Sequence, residues 1–267
     1  MATFSKVFIG ILGKTLLGAN GIEDSSIKIK IVTVGHMPAE FDSKKLTSWK
    51  SKLFTVVGDV ENFSLTEDSD GENWEFTDSS LEIVLPKKHD GDFLVVILNV
   101  PIQHNYYARR LSDNRVAITF HEMKNILMWD NIPLENLILR LLYSGSLLFT
   151  RSGQRIPLNS EFTNYTHDET RGCLFDMNGI KTDIIHSCAD PIICSDCCER
   201  MRKEQVSNSM LSLAQEEIKR IKKPLFYRMA AFVKSHPLWS IAISAVSAIV
   251  LGAIGSYLAT VIYEASK

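Results

Sequence analysis

All five cysteines of this 267-residue chain lie in one stretch, as Cys173, Cys188, Cys194, Cys197 and Cys198. Residues 167 to 198 read HDETRGCLFDMNGIKTDIIHSCADPIICSDCC. In a reducing compartment, clustered thiols bind metal more often than they form disulfides. Cys194 and Cys197 form a C-x-x-C pair, a spacing that lets two thiolates wrap one ion, and Cys173 follows His167 as an upstream pair. Together His167, Cys173, Cys194 and Cys197 would make a closed, tetrahedral Cys3His zinc site. Such a site is structural, because it leaves no coordination position for water or substrate. Cys188, Cys198 and His186 are substitutes for any one ligand, and a set of ordinary buried thiols is the competing reading. Asp168, Glu169 and Asp176 either orient ligands from outside or act as surface and capping residues.

Other chemistry is sparse. His121-Glu122 begins an H-E pair, but the position four after His121 is Asn125, so no H-E-x-x-H motif forms. There is no P-loop, dinucleotide fingerprint or nucleophile elbow. The segment VPIQHNYYARR places His104, Asn105, Tyr106, Tyr107, Arg109 and Arg110 after a strong strand. Strand ends of α/β sheets bind ligands, so these residues form the best pocket candidate. The plainer reading is a polar loop with anchoring tyrosines. A net charge of −2 gives no case for nucleic-acid binding. The acidic stretch from 58 to 92 contains EDSDGEN, which lacks calcium-loop spacing and reads as a solvated loop beside edge strands.

These residues need a scaffold. Val7–Leu12, Ile27–Val34, Leu81–Leu85, Phe93–Val100 and Val116–Phe120 read as strands, the last two apolar enough to be covered on both faces. Asp42–Val56, His121–Trp129 and Leu134–Phe149 read as helices. The alternation predicts an α/β fold, a mixed sheet layered with helices, followed by the knuckle-like cysteine cluster. Residues 1–200 are expected to form this domain. Residues 201–236 then read as a basic stalk or juxtamembrane helix, with Leu211, Leu213, Ala214 and Ile218 along one face. A solvated linker is the simplest form of it; a coiled-coil contact or a helix on an anionic leaflet are the others.

The mean hydropathy of +0.02 averages a soluble body with a membrane segment. Leu238 to Tyr263 contains no charge and exceeds the roughly 20 apolar residues that cross a bilayer. The expected transmembrane helix is 237–263, with a short tail at 264–267. Lys219, Arg220, Lys222, Lys223, Arg228 and Lys234 precede it, and only Glu264 and Lys267 follow. The positive-inside rule then puts the N-terminal domain in the cytoplasm, on an inner or plasma membrane crossed once. The N-terminal apolar run is broken by Lys14 and reads as a strand, not a signal peptide. Within the span, Ser244, Ala248, Gly252, Ser256 and Thr260 recur every fourth residue, a small-residue stripe suited to homo-oligomeric packing.

The order FLVVILNVP, polar loop, RVAITF, PLENLILRLLYSGSLLF and H…GCLFD…C-x-x-C resembles the archaemetzincin-like branch of the zincin metalloproteases, over about Lys6 to Arg200. In that family an H-E-x-x-H helix holds catalytic zinc, and a cysteine group ending in C-x-x-C holds a second, structural zinc. The resemblance therefore implies structural ligands at Cys173, Cys194 and Cys197, with His167 as fourth. It does not carry activity over, because Leu134–Phe149 has no histidine. The implied protein is a degenerate zincin without its catalytic metal.

The expected function is a non-enzymatic, membrane-anchored signal receiver or effector. A small molecule or protein would activate the cytoplasmic domain and cluster the single-span helices. That layout resembles bacterial defence effectors that permeabilise the membrane. The alternatives are a tail-anchored zinc hydrolase with ligands from His104, His121 and His167, and an adaptor for a cytosolic partner.

Overall fold

A computed structural model of the chain describes residues 26–267, so the expected strand Val7–Leu12 lies outside the described residues. The order is β1 (Ile27–Val34), α1 (Lys44–Thr47), β2 (Phe54–Phe63), α2 (Asp78–Val84), β3 (Phe93–Leu98), β4 (Ala108–Leu111) and β5 (Arg115–Thr119). Seven further helices follow: α3 (Met123–Trp129), α4 (Leu134–Arg151), α5 (Ile184–Ala189), α6 (Ser195–Lys203), α7 (Asn208–Ile218), α8 (Leu225–Ser235) and α9 (Pro237–Ala265). The sheet runs β2-β1-β3-β5-β4, parallel except for the β4–β5 hairpin. This is the mixed, helix-layered α/β sheet that the sequence predicts.

The central strand explains its own composition. Every residue of FLVVIL in β3 is buried. Phe93, Val95 and Ile97 enter a core shared with α4, while Leu94, Val96 and Leu98 enter a second core shared with α2. A strand alternates its side chains between faces, so a strand covered on both sides must be apolar throughout.

Two expected elements differ. Leu81–Leu85 lies not in a strand but in and just after helix α2. Thr77 caps it, its side chain accepting the Ser80 N–H, and Leu81 and Leu85 are buried one turn apart while Ile83 is 77% exposed. That is helical spacing, and the cap outweighs the β-branched composition. The expected helix Asp42–Val56 is a single turn, α1, after which Phe54 opens β2 beside Ile27. The β-branched run Thr55-Val56-Val57 goes to the sheet edge, although Leu46, Leu53 and Phe54 still reach the main core. The acidic stretch is correspondingly more ordered than a loop: it contains the end of β2 and all of α2.

The expected stalk is also shorter. Leu211, Ala214, Ile218 and Ile221 are buried in the main core, so folded structure runs past residue 200 to Ile221. The amphipathic face read at 211–218 is a packing face. Glu217, 8% exposed, fastens it: its carboxylate accepts the Ser51 hydroxyl at 2.6 Å, the Lys52 N–H at 2.8 Å and the Tyr143 hydroxyl at 2.8 Å. Tyr143 accepts in turn from the Trp49 indole at 2.9 Å. Beyond Ile221 the chain leaves the body. Helix α9, whose most apolar 18 residues have a mean hydropathy of 2.1 and are nowhere buried, is long and apolar enough to cross a membrane.

Replacing Glu217 with Ala strands three donors in a nearly dry site, a loss of about 1–3 kcal/mol. We expect thermal unfolding of E217A in detergent to fall by several degrees with unchanged membrane fractionation. A melting temperature equal to that of the parent would show that the latch contributes nothing.

Candidate metal centre

Three short pieces of backbone bring the sulfur and nitrogen donors together. Gly172 turns the chain with φ +82, a conformation that favours glycine, and Cys173 follows at once. The Leu174 N–H donates to the Ile192 carbonyl at 2.7 Å and the Ile192 N–H to the Gly172 carbonyl at 3.0 Å. Cys173 is thereby laid beside the residue that precedes the C-x-x-C pair by two positions. His167 is held from the other side: its N–H donates to the Phe175 carbonyl at 3.1 Å, and its carbonyl accepts from Met177 at 2.8 Å. Cys194 is the N-cap of α6, its sulfur accepting the Cys197 N–H at 3.5 Å.

The result is a compact donor set. The ligand atoms of His167, Cys173, Cys194 and Cys197 all lie within 4.8 Å of one another. Cys194 Sγ is 3.6 Å from His167 Nε2, and Cys173 Sγ is 3.9 Å from Cys197 Sγ. With usual zinc bond lengths, a tetrahedron has S···N edges of about 3.6 Å and S···S edges of about 3.8 Å. The residues fit a tetrahedral zinc ion. All four are at least nine-tenths buried, and all five cysteines are free thiols.

The electrostatics point the same way. The Cys173 thiol is held down at about 4, chiefly by its hydrogen bond with Cys197 and, against the cost of burial, by backbone N–H groups of Cys194 and Phe175. Its partner Cys197 is pushed up by that same hydrogen bond, by burial, and by the adjacent sulfur charges. Negative charge on sulfurs packed this tightly repels itself, and a divalent cation relieves that repulsion.

The remaining sulfurs stand apart. Cys188 is fully buried, and burial pushes its thiol up to about 12. Cys198 accepts from the Gln215 side chain at 3.3 Å. Neither they nor His186 join the four-donor group. Around the ligands, Glu169 Oε2 sits 3.0 Å from His167 Nδ1, which fixes the ring and turns Nε2 toward the sulfurs. Asp168 and Asp176 do different work: Asp168 accepts the Gly179 N–H at 3.3 Å and Asp176 the Asn178 N–H at 2.8 Å, both shaping the loop.

The second candidate group divides: His104, Tyr106 and Arg109 stay together, His104 edge-on to Tyr106 and the Arg109 guanidinium over its ring, while Tyr107 and Arg110 make separate contacts. His104 and Asn105 adopt φ of 58 and 51 in an exposed turn, their N–H groups held by Glu75 at 2.9 Å. Arg109 and Arg110 are neighbours on β4 and so face opposite ways. Arg109 pairs with Asp78 of α2, and the Arg110 N–H donates to Asn159 at 3.1 Å. Two surface concavities, of about 560 and 450 Å³, include none of these residues. Tyr107 reaches the metal region, where its hydroxyl accepts from Asn178 at 3.0 Å and Arg140 at 3.3 Å, and Asn105 accepts from Lys181 of the same segment at 2.6 Å. Nor do His104 and His121 join His167 in a metal-sized group.

Arg140 is the residue that sequence reading passed over. It is 1% exposed and donates to the Asp176 carbonyl at 2.9 Å, tying the His167–Asp176 loop to α4. A lone arginine inside LENLILRLLYSGSLLF was the available signal, since a buried cation needs a fixed partner.

No family model matches the chain, and no curated protein matches it. Among solved structures, an archaemetzincin from Methanopyrus kandleri matches at 13% identity and a TM-score of 0.39, over 68% of this chain and 97% of that one. An overlap at that level does not establish a common fold or a common activity.

Metal analysis of the purified protein should find one zinc per chain, lost in C194S. Removing Glu169 frees the His167 ring; E169A should lower zinc affinity about tenfold in a chelator competition, the low end for an exposed outer contact. Full zinc loading in C194S would remove the site.

Proposed function

We propose that this protein is a membrane-anchored receiver or effector without enzymatic activity, its body stapled by structural zinc and its signal carried by clustering of a single span. The observation that supports it best is helix α9. A body with a four-donor group leads, through the exposed α8, into a 29-residue, mostly apolar helix that none of the described residues bury. A four-donor site offers stability and no open coordination position, so the chemistry it supplies is cross-linking of the His167–Cys198 segment.

The basic residues before α9 support a cytoplasmic body. Along the exposed helix, Ser244, Ala248, Gly252, Ser256 and Thr260 form a stripe that winds slowly around it, and a side chain added at Gly252 would meet nothing within 4 Å. That surface is open to a second copy. A ligand or protein that binds the clustered form more tightly than the monomer would shift the equilibrium and gather the spans, opening the membrane.

Cross-linking in native membranes should trap oligomers of the parent protein, and its activated form should depolarise bacterial cells. A248L combined with G252L separates the backbones, so oligomer yield and depolarisation should both fall severalfold. Unchanged values would dismiss the packing stripe. Peptide hydrolysis that needs a second metal and disappears in H121A would make the protein an enzyme instead.

A further inference from the structure

Helix α8 has an apolar face that the body leaves uncovered. Leu225, Phe226, Met229, Phe232 and Val233 are between 46% and 73% exposed. At helical spacing they share one side, with Arg228 and Lys234 flanking it and Tyr227 and Ala231 opposite. Neither Arg228 nor Lys234 has a carboxylate partner among the described residues, and the sequence holds no Asp or Glu between Ile218 and Tyr263.

Two features of the chain path select the occupant. Only His236 separates α8 from α9, and it leaves the helical region at φ −133, ψ 62 because Pro237 follows. The apolar face of α8 thus begins where the apolar span begins, with a break that lets the two helices take different directions. At the other end, Lys223 is held by Asp130 at 2.6 Å, next to Trp129, which is 92% exposed. The corner of the body nearest α8 therefore carries an indole, a side chain that favours the membrane interface.

We propose that α8 is a second membrane element, lying in the plane of an anionic bilayer. Its Leu225–Phe226–Met229–Phe232–Val233 face enters the headgroup–acyl boundary, and Arg228 and Lys234 engage phospholipid phosphates. The partner is an acidic phospholipid surface, recognised by charge and by apolar depth. The proposal rests on α9 spanning the membrane, and the experiment separates the two.

The full chain would be reconstituted in nanodiscs of phosphatidylcholine, with or without phosphatidylglycerol. Failure of α9 to insert would show first, as absence of protein from the nanodisc fraction. In loaded discs, a benzophenone amino acid at Phe226 should form lipid adducts, and one at Ala231, on the opposite face, should not. Hydrogen-exchange protection of residues 225–235 should rise in the anionic discs, by about fivefold for each basic residue engaged. R228E combined with K234E should abolish that increment while zinc content stays at the parent value. Adducts to the body or to a second copy in place of lipid, or protection equal in both lipids, would overturn the proposal.

Discussion

The structure depends on satisfying the polar groups of a helix with almost no solvent face. Fourteen of the eighteen residues of α4 are buried, and its apolar side chains fill the core against β1 and β3. Polar side chains on such a helix must find partners inside the protein. Each of four does so on a different segment. Glu135 accepts from the Asp42 N–H at 2.6 Å; Asn136 donates to the Cys188 carbonyl at 2.8 Å and the Lys222 carbonyl at 3.2 Å. Arg140 takes the Asp176 carbonyl, and Tyr143 takes Glu217 of α7. One helix thus fixes the α1 turn, the cysteine segment, α7 and the start of the exit toward α8.

This dependence explains why the metal centre is placed on irregular chain. Residues 152–183 contain little regular structure, so few backbone hydrogen bonds hold them. Arg140 anchors the loop from beneath, and the four donors close it from above. A metal held by His167, Cys173, Cys194 and Cys197 would cross-link this segment in place of the packing that a longer helix or an added strand would provide. The helix and the donor set are complementary supports for the same segment.

The sheet and the site were legible to different depths. Ile27–Val34 is a strand from end to end as read, because alternation followed by a β-branched run admits little else. His167, Cys173, Cys194 and Cys197 converge as their types and spacing implied. Where the reading and the structure differ, local contacts decide. Leu81–Leu85 is an apolar segment too short for periodicity to settle, and the Thr77 cap makes it helical; in Asp42–Val56 the pairing of Phe54 with Ile27 of β1 takes the second part of the segment into the sheet. The face of α7 looked free because nothing local announces that Tyr143, far away in sequence, waits to receive Glu217. In the segment after β3, strand alternation sends Arg109 and Arg110 to opposite sides, a separation that adjacency in sequence does not announce.

The tie between Lys223 and Asp130 sets a clearance. From Lys223 to the break at His236 the chain is mostly α8, about 17 Å long at roughly 1.5 Å per residue. With α9 in a bilayer, the corner at Asp130 would stand at most about 30 Å above the lipid, and closer if α8 lies flat. The underside of the body would then admit only what fits within that clearance, and bulkier contacts would fall on the flanks or the far side.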